Sequence, residues 1–190
     1  MKQYRKSLGA FFADEDGSQT IEFVVMVPLL VWAVISMLAF TDAYRVRAMA
    51  SDATAVVADT LSRQTTPINN RHLEGLQSVA GKITGQGEAI GIRVTQVGCS
   101  RNCENLSRRV LEVSFSKSKN LEVLDNADFR SGELRDKIPL LSRGDRIVLV
   151  ETGFTHKPIL NAGLKESQVN MFQTTRMRFA PQLCWEECNL

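Results

Sequence analysis

From Ile21 to Phe40 the chain runs through apolar residues broken only by Glu22, Pro28 and Ser36. About 20 helical residues, at a rise of roughly 1.5 Å each, cover the roughly 30 Å hydrocarbon core of a bilayer. The run therefore predicts one membrane-spanning helix, over 18–40. A Leu, Ile, Val or Phe in such a helix gains about 0.3–0.6 kcal/mol on insertion, whereas an acid at its centre costs about 2.5–3.5 kcal/mol. Glu22 stands at the edge of the run, where that cost is smaller.

Residues 1–17, MKQYRKSLGAFFADEDG, form a polar leader with Lys2, Arg5 and Lys6 ahead of Asp14, Glu15 and Asp16. Bases set orientation more than acids do, so the leader is expected in the cytoplasm and the chain beyond Phe40 on the far side. Arg45 and Arg47 just past the run oppose that asymmetry. A secretory signal peptide also has a basic start and an apolar core. Its core spans about 7–15 residues and ends at a small-x-small site, whereas this run is longer and leads into a charged helix. A lipoprotein signal is excluded, because no Cys lies near the end of the run.

One account of Glu22 places it in the first helical turn, where the positive end of the macrodipole favours an anion. A second starts from Gly17, five residues earlier, with Ser18 after it and Phe23 after the acid. The string G-S-Q-T-I-E-F, running straight into an apolar helix, resembles the prepilin peptidase site of type IV pilins, above all that of tight-adherence (Tad) prepilins. EFVVMVPLL is similar to the same segment of the TadE-like branch. The resemblance implies that a membrane aspartyl peptidase cuts between Gly17 and Ser18. Glycine suits such a cleft because it lacks a Cβ. It further implies that Glu22 faces the new N-terminal amine of an adjacent subunit, which gives a carboxylate in lipid a partner. The partners implied are the prepilin peptidase, other pilins or pseudopilins with the pilus assembly machinery, and the lipid bilayer. The implied location is the bacterial inner membrane, single-pass, with the C-terminal domain periplasmic or carried into an extracellular pilus.

Beyond Phe40 no Gly or Pro occurs until Pro67, and Val46, Met49, Ala50, Ala53, Val57 and Leu61 recur at helical spacing. The membrane helix is expected to continue as an amphipathic rod over 41–66, stopped by Pro67, with its stripe on the chain's own domain. Asn69 and Asn70 offer an N-cap to a shorter helix with Leu73, Leu76, Val79, Ala80 and Ile83 on one face, ending near Gly85. Strands are expected around 92–97, 110–115, 146–154 and 170–179, the third buried on both faces in its first half. Residues 116–144 are polar, with helical turns suggested at 121–124 and 133–141. Apart from 116–144 the loops are too short for crossovers, so the chain reads as α+β, pilin-like in outline: a long N-terminal helix ahead of a domain at 67–190 that holds a short second helix and an antiparallel sheet of about four strands.

Four cysteines stand in two like pairs, Cys99 with Cys103 and Cys184 with Cys188. Disulfides are favoured over zinc, since these spacings are not Cys-x2-Cys knuckles and a domain outside the inner membrane lies in an oxidising compartment. Three connectivities are open. A meander would separate the segments after its first and last strands and favour local pairs; another strand order would favour bridges between the two pairs.

The net charge of +2 is too mild, and its Lys and Arg too scattered, to argue for nucleic acid. His72 and His156 have no ligand spacing around them and read as surface residues, the second in a loop. GKITGQG lacks the spacing of a phosphate loop, and Ser114, Ser116 and Ser118 lack a nucleophile elbow. No catalytic residue, metal site or cofactor is expected, and the chain is read as a non-enzyme. The resemblance makes it a structural or assembly protein of a pilus; the alternative is an uncleaved, membrane-anchored periplasmic scaffold or binding protein.

Overall fold

The computed structural model describes residues 18–158 and 164–188. Helix α1, Ser18–Ser62, is continuous over 45 residues with Pro28 inside it. The chain divides into two compact units, Met1–Asp42 with Pro158–Lys165 and Ala43–Lys157 with Glu166–Leu190, so the division falls inside α1 just past the apolar run.

In the second unit, the outer part of α1 lays Val46, Ala50, Ala53, Val57 and Leu61 into the core, the stripe its spacing predicts. Ala50 and Ala53 are wholly buried, and such small side chains let the helix axis approach the sheet closely. Thr54 lies on the same stripe. Its hydroxyl donates to the Ala50 carbonyl at 2.7 Å, which leaves it to accept from the Thr152 hydroxyl at 2.6 Å. The helix stops at Ser62, short of the segment before Pro67. Bonds from Arg63 N to Thr60 O and Gln64 N to Leu61 O tighten the last turn, and the Ser62 carbonyl accepts from Arg178 N at 2.8 Å.

Helix α2, Asn70–Thr84, is capped by Asn69, whose side chain accepts from His72 N, and ends at Gly85 with φ 70°. The left-handed conformation at that position is the one glycine adopts without a Cβ penalty. Its buried face is Leu73, Gln77, Ala80, Gly81 and Thr84. Val79, expected on that face, is 44% exposed, because the stripe is centred on Gln77 and Ala80 and the helix turns Val79 off its flank. Gln77 is buried because its amide donates to the carbonyls of Glu88 and Ile90, at 3.2 and 2.8 Å. A 3-10 turn at Gly87–Ala89 follows. It presses on Gly81 so closely that a Cβ there would overlap the Gly87 carbonyl, standing 2.7 Å from its carbon.

Strands β1 (Gly91–Arg101), β2 (Val110–Lys119), β3 (Arg146–His156) and β4 (Ser167–Thr175) form one sheet in the order β2-β1-β3-β4. Every neighbouring pair is antiparallel. The molecule is thus an α+β fold. It is not a meander: β3 pairs with β1 and leaves β2 at an edge. Composition explains the order, since β1 and β3 are buried along nearly their whole length whereas β2 ends in Ser, Lys, Ser and Lys, side chains that suit an open edge. β3 is buried on both faces from Ile147 to Val150 and runs on to His156, which pairs with Ser167. His156 is therefore a buried strand residue, 7% exposed, and not a surface loop residue. β4 starts earlier than expected and stops at Thr175, opposite Val148, where Arg176–Arg178 turn away toward the end of α1.

One sheet face, with Ile92, Val94, Val148, Val150 and Phe154, packs on α1 and α2. The other, with Val97, Leu111, Ile147 and Leu149, is covered by Phe129, Ile138 and Leu141 from the long connection between β2 and β3. That connection contains one short helix, α3 (Glu133–Lys137), and no helix at 121–124. Arg109 and Arg135 fasten it. The Arg109 guanidinium donates to the carbonyls of Arg135, Ile138 and Pro139 at 2.5, 2.7 and 2.7 Å, and Arg135 donates back to the carbonyls of Leu106 and Arg109. Burial and the neighbouring Arg135 charge push Arg109 below the usual guanidinium range, with Asp136 opposing them.

Candidate functional site

The segment of α1 from Ile21 to Phe40 presents apolar side chains all round. Ile21, Phe23, Met26, Leu30, Trp32 and Met37 are each more than 60% exposed. The helix counted from Thr20 to Ser62 has a most apolar window of mean hydropathy 2.6, of which 6% is buried. A core helix of a water-soluble protein is mostly buried, whereas this window is mostly exposed in the chain. The geometry is that of a helix long and apolar enough to cross a membrane. Pro28 removes one backbone donor and its ring crowds the carbonyl four residues earlier, so its position is where this helix bends most easily.

Gly17 lies outside the described residues. Ser18 opens α1, and Glu22 and Phe23 follow on exposed positions of the same helix. With Ser18 as the first described helical residue, no acid falls in the first turn.

The four cysteines form two disulfides, Cys99–Cys103 and Cys184–Cys188, with Cα separations of 5.8 and 5.1 Å. Both pairs are local although the sheet is not a meander. β1 and β4 do emerge at the same end of the sheet, but Cys99 and Cys103 join the cluster on the outer face. Cys184 sits on the helix face, its carbonyl accepting from Ile68 N at 2.9 Å while Leu183 N donates to Gln96 Oε1 at 2.7 Å. The sheet stands between them. Trp185 does not simply cover its own disulfide loop, as it also meets Phe115, ring centroids 6.0 Å apart, with Lys117 Nζ 5.2 Å from its centroid.

Among the described residues no group of three or more His, Cys, Asp or Glu side chains is placed to hold a metal ion. The Glu133 carboxylate is held below its usual range by the hydrogen bond and charge of Lys137, 2.8 Å away, a surface pair on α3. Comparisons with family models, with curated proteins and with solved structures find no match to this chain. What the fold defines is a class: an α+β domain joined without a break to a long apolar N-terminal helix, with two local disulfides.

Proposed function

We propose that the chain is a membrane-anchored structural protein of a tight-adherence type of pilus, a minor pilin or pseudopilin processed by a prepilin peptidase. The observation that carries the reading is the single helix that begins at Ser18, exposes an apolar surface over its first half and buries an Ala-rich stripe in its own domain over the second. A helix built this way supports a domain that must be extracted from lipid and packed side by side with like helices. The string from Gly17 to Phe23 adds the resemblance to a processing site. In this reading the peptidase cuts after Gly17, the Ser18 amine faces Glu22 of the adjacent subunit, and the sheet domain faces outward from the inner membrane to start, cap or decorate the filament. The two disulfides fit the oxidising side of that membrane.

Mass spectrometry of the protein purified from cells that hold the matching peptidase tests this. A mature chain that begins at Ser18 supports it, and replacing Gly17 with Trp abolishes processing while the protein stays in the membrane. A chain that keeps its leader refutes processing and leaves the uncleaved periplasmic scaffold. One that begins beyond Phe40 refutes both and makes the run a secretory signal.

A further inference from the structure

We propose that the cleft beside the Cys99–Cys103 loop binds an acidic peptide segment of a partner protein, through Arg101, Arg108 and Arg143. The cleft, open to solvent, has a volume of about 950 Å³ between the turn that joins β1 to β2 and the end of the connection that leads into β3. That volume lies in the usual range of ligand sites. Three guanidiniums and one carboxylate, Glu104, line it. Among the described residues none of the three arginines makes an ion pair or a side-chain hydrogen bond, unlike Arg63, Arg93, Arg176 and Arg178. Unneutralised arginines around one concavity form a site for carboxylates, which a guanidinium binds through two parallel hydrogen bonds.

The walls are held in place before any ligand arrives. The disulfide closes the first part of the loop, Asn105 Oδ1 accepts from the backbone of Ser107 and Arg108, and Asn102 donates to the Arg108 carbonyl with its own φ at 53°. On the opposite wall Leu141 is buried in the outer core, which anchors Arg143 two residues on. Preorganised donors lose less entropy on binding. The cleft is not uniformly polar: Leu140 is half exposed on its wall, beside the buried Leu141. Arginines beside an exposed leucine match a peptide in which acids alternate with apolar side chains. A polyuronate or phosphate polymer offers nothing to that leucine. The inference rests on the folded domain alone and stands whether or not the helix enters a pilus.

Fluorescence anisotropy on the full chain in detergent, with a short labelled peptide alternating Glu and Leu as probe, tests it. Binding should weaken at least tenfold when Arg101, Arg108 and Arg143 are all replaced by Gln, and at least threefold with Leu140→Ser. Glu104→Gln, which removes the one like charge facing the ligand, should tighten it severalfold, and the peptide with Gln for Glu should not bind. Circular dichroism of each variant against the parent separates lost binding from lost folding, and Arg143→Gln alone, on an exposed side chain, keeps the test alive should the triple variant unfold. The proposal fails when the parent chain leaves the probe unbound, or when the arginine variants bind as the parent does. It also fails when alginate competes equally well and Leu140→Ser changes nothing, since the cleft then recognises any polyanion.

Discussion

Gly75 and Gly81 lie in the same helix, α2, and should respond to the same substitution with opposite signs. At Gly75 a Cβ meets nothing within 4 Å, so Gly75→Ala gains the helix propensity difference, about 0.8–1 kcal/mol, without cost. At Gly81 the same gain is offset by the overlap with the Gly87 carbonyl, an atom of the backbone that cannot rotate aside. Relief requires the 3-10 turn to move, and with it the carbonyls of Glu88 and Ile90 that satisfy the buried Gln77 amide. Overpacking of this kind costs about 1–3 kcal/mol, and loss of those two bonds about 1 kcal/mol each. The sum puts Gly81→Ala about 2–4 kcal/mol below the parent and Gly75→Ala about 1 kcal/mol above it. Urea unfolding of the full chain in detergent, followed by far-UV circular dichroism, measures both from the shift in midpoint at constant slope. Finding Gly81→Ala as stable as Gly75→Ala would refute the close approach of α2 to the turn.

Further outcomes follow from other parts of the fold. Arg109→Met leaves three inward carbonyls without their donor and should cost about 2–4 kcal/mol, with amide exchange rising first in residues 133–141. Glu151→Ala removes the carboxylate that Arg93 meets at 2.7 Å across the central strands, leaving it the Glu122 carbonyl alone, and should lower stability by about 1.5–3 kcal/mol in thermal melts. Each disulfide closes a loop of sequence separation 4, so opening either one should cost about 2 kcal/mol by chain entropy, read from denaturant midpoints of Cys99→Ser with Cys103→Ser and of the other pair. Glu133 has a folded value below its unfolded one, so its contribution is present above the unfolded value and lost as pH falls through the folded one. Lys137→Met should move the Glu133 carboxylate titration, followed by carbon-13 NMR, back up toward the ordinary range.

The helices were the most legible part of the chain. Val46 to Leu61 repeats at three and four, and Asn69 and Gly85 mark the ends of α2 with side chains suited to each cap. Strand positions followed from alternation, but their order did not. The pairing of β3 with β1 depends on which strands are apolar on both faces, and β1 disguised that by carrying Thr95 and Gln96 inward. Thr95 meets Ser116 and Gln96 meets Leu183 N, partners far apart in the chain. Residues 116–144 read as polar and formless because their covering role depends on a few spaced residues, Phe129, Ile138 and Leu141, and on a buried arginine from outside the segment. His156 was misread because two further residues of pairing with β4 carry the strand past the apolar run. Of the processing site, only the helix that holds Ser18, Glu22 and Phe23 has a counterpart in the structure. The arginine cleft left no sequence signal, since its cations come from two segments that meet only in space.

Ile68, in the link between the helices, is clasped between the Cys184 carbonyl and the Glu186 amide, and Leu183 seals the same corner through Gln96. These are partners more than 80 positions apart, supplied by residues that leave the ribosome after every strand is complete. The Cys99–Cys103 segment is therefore complete long before that corner shuts, and an apolar seam beside Ile68 stays wet until residues 183–186 arrive. Until then the seam is the part of the domain most open to solvent and to protease, and its closure is the last step of the fold.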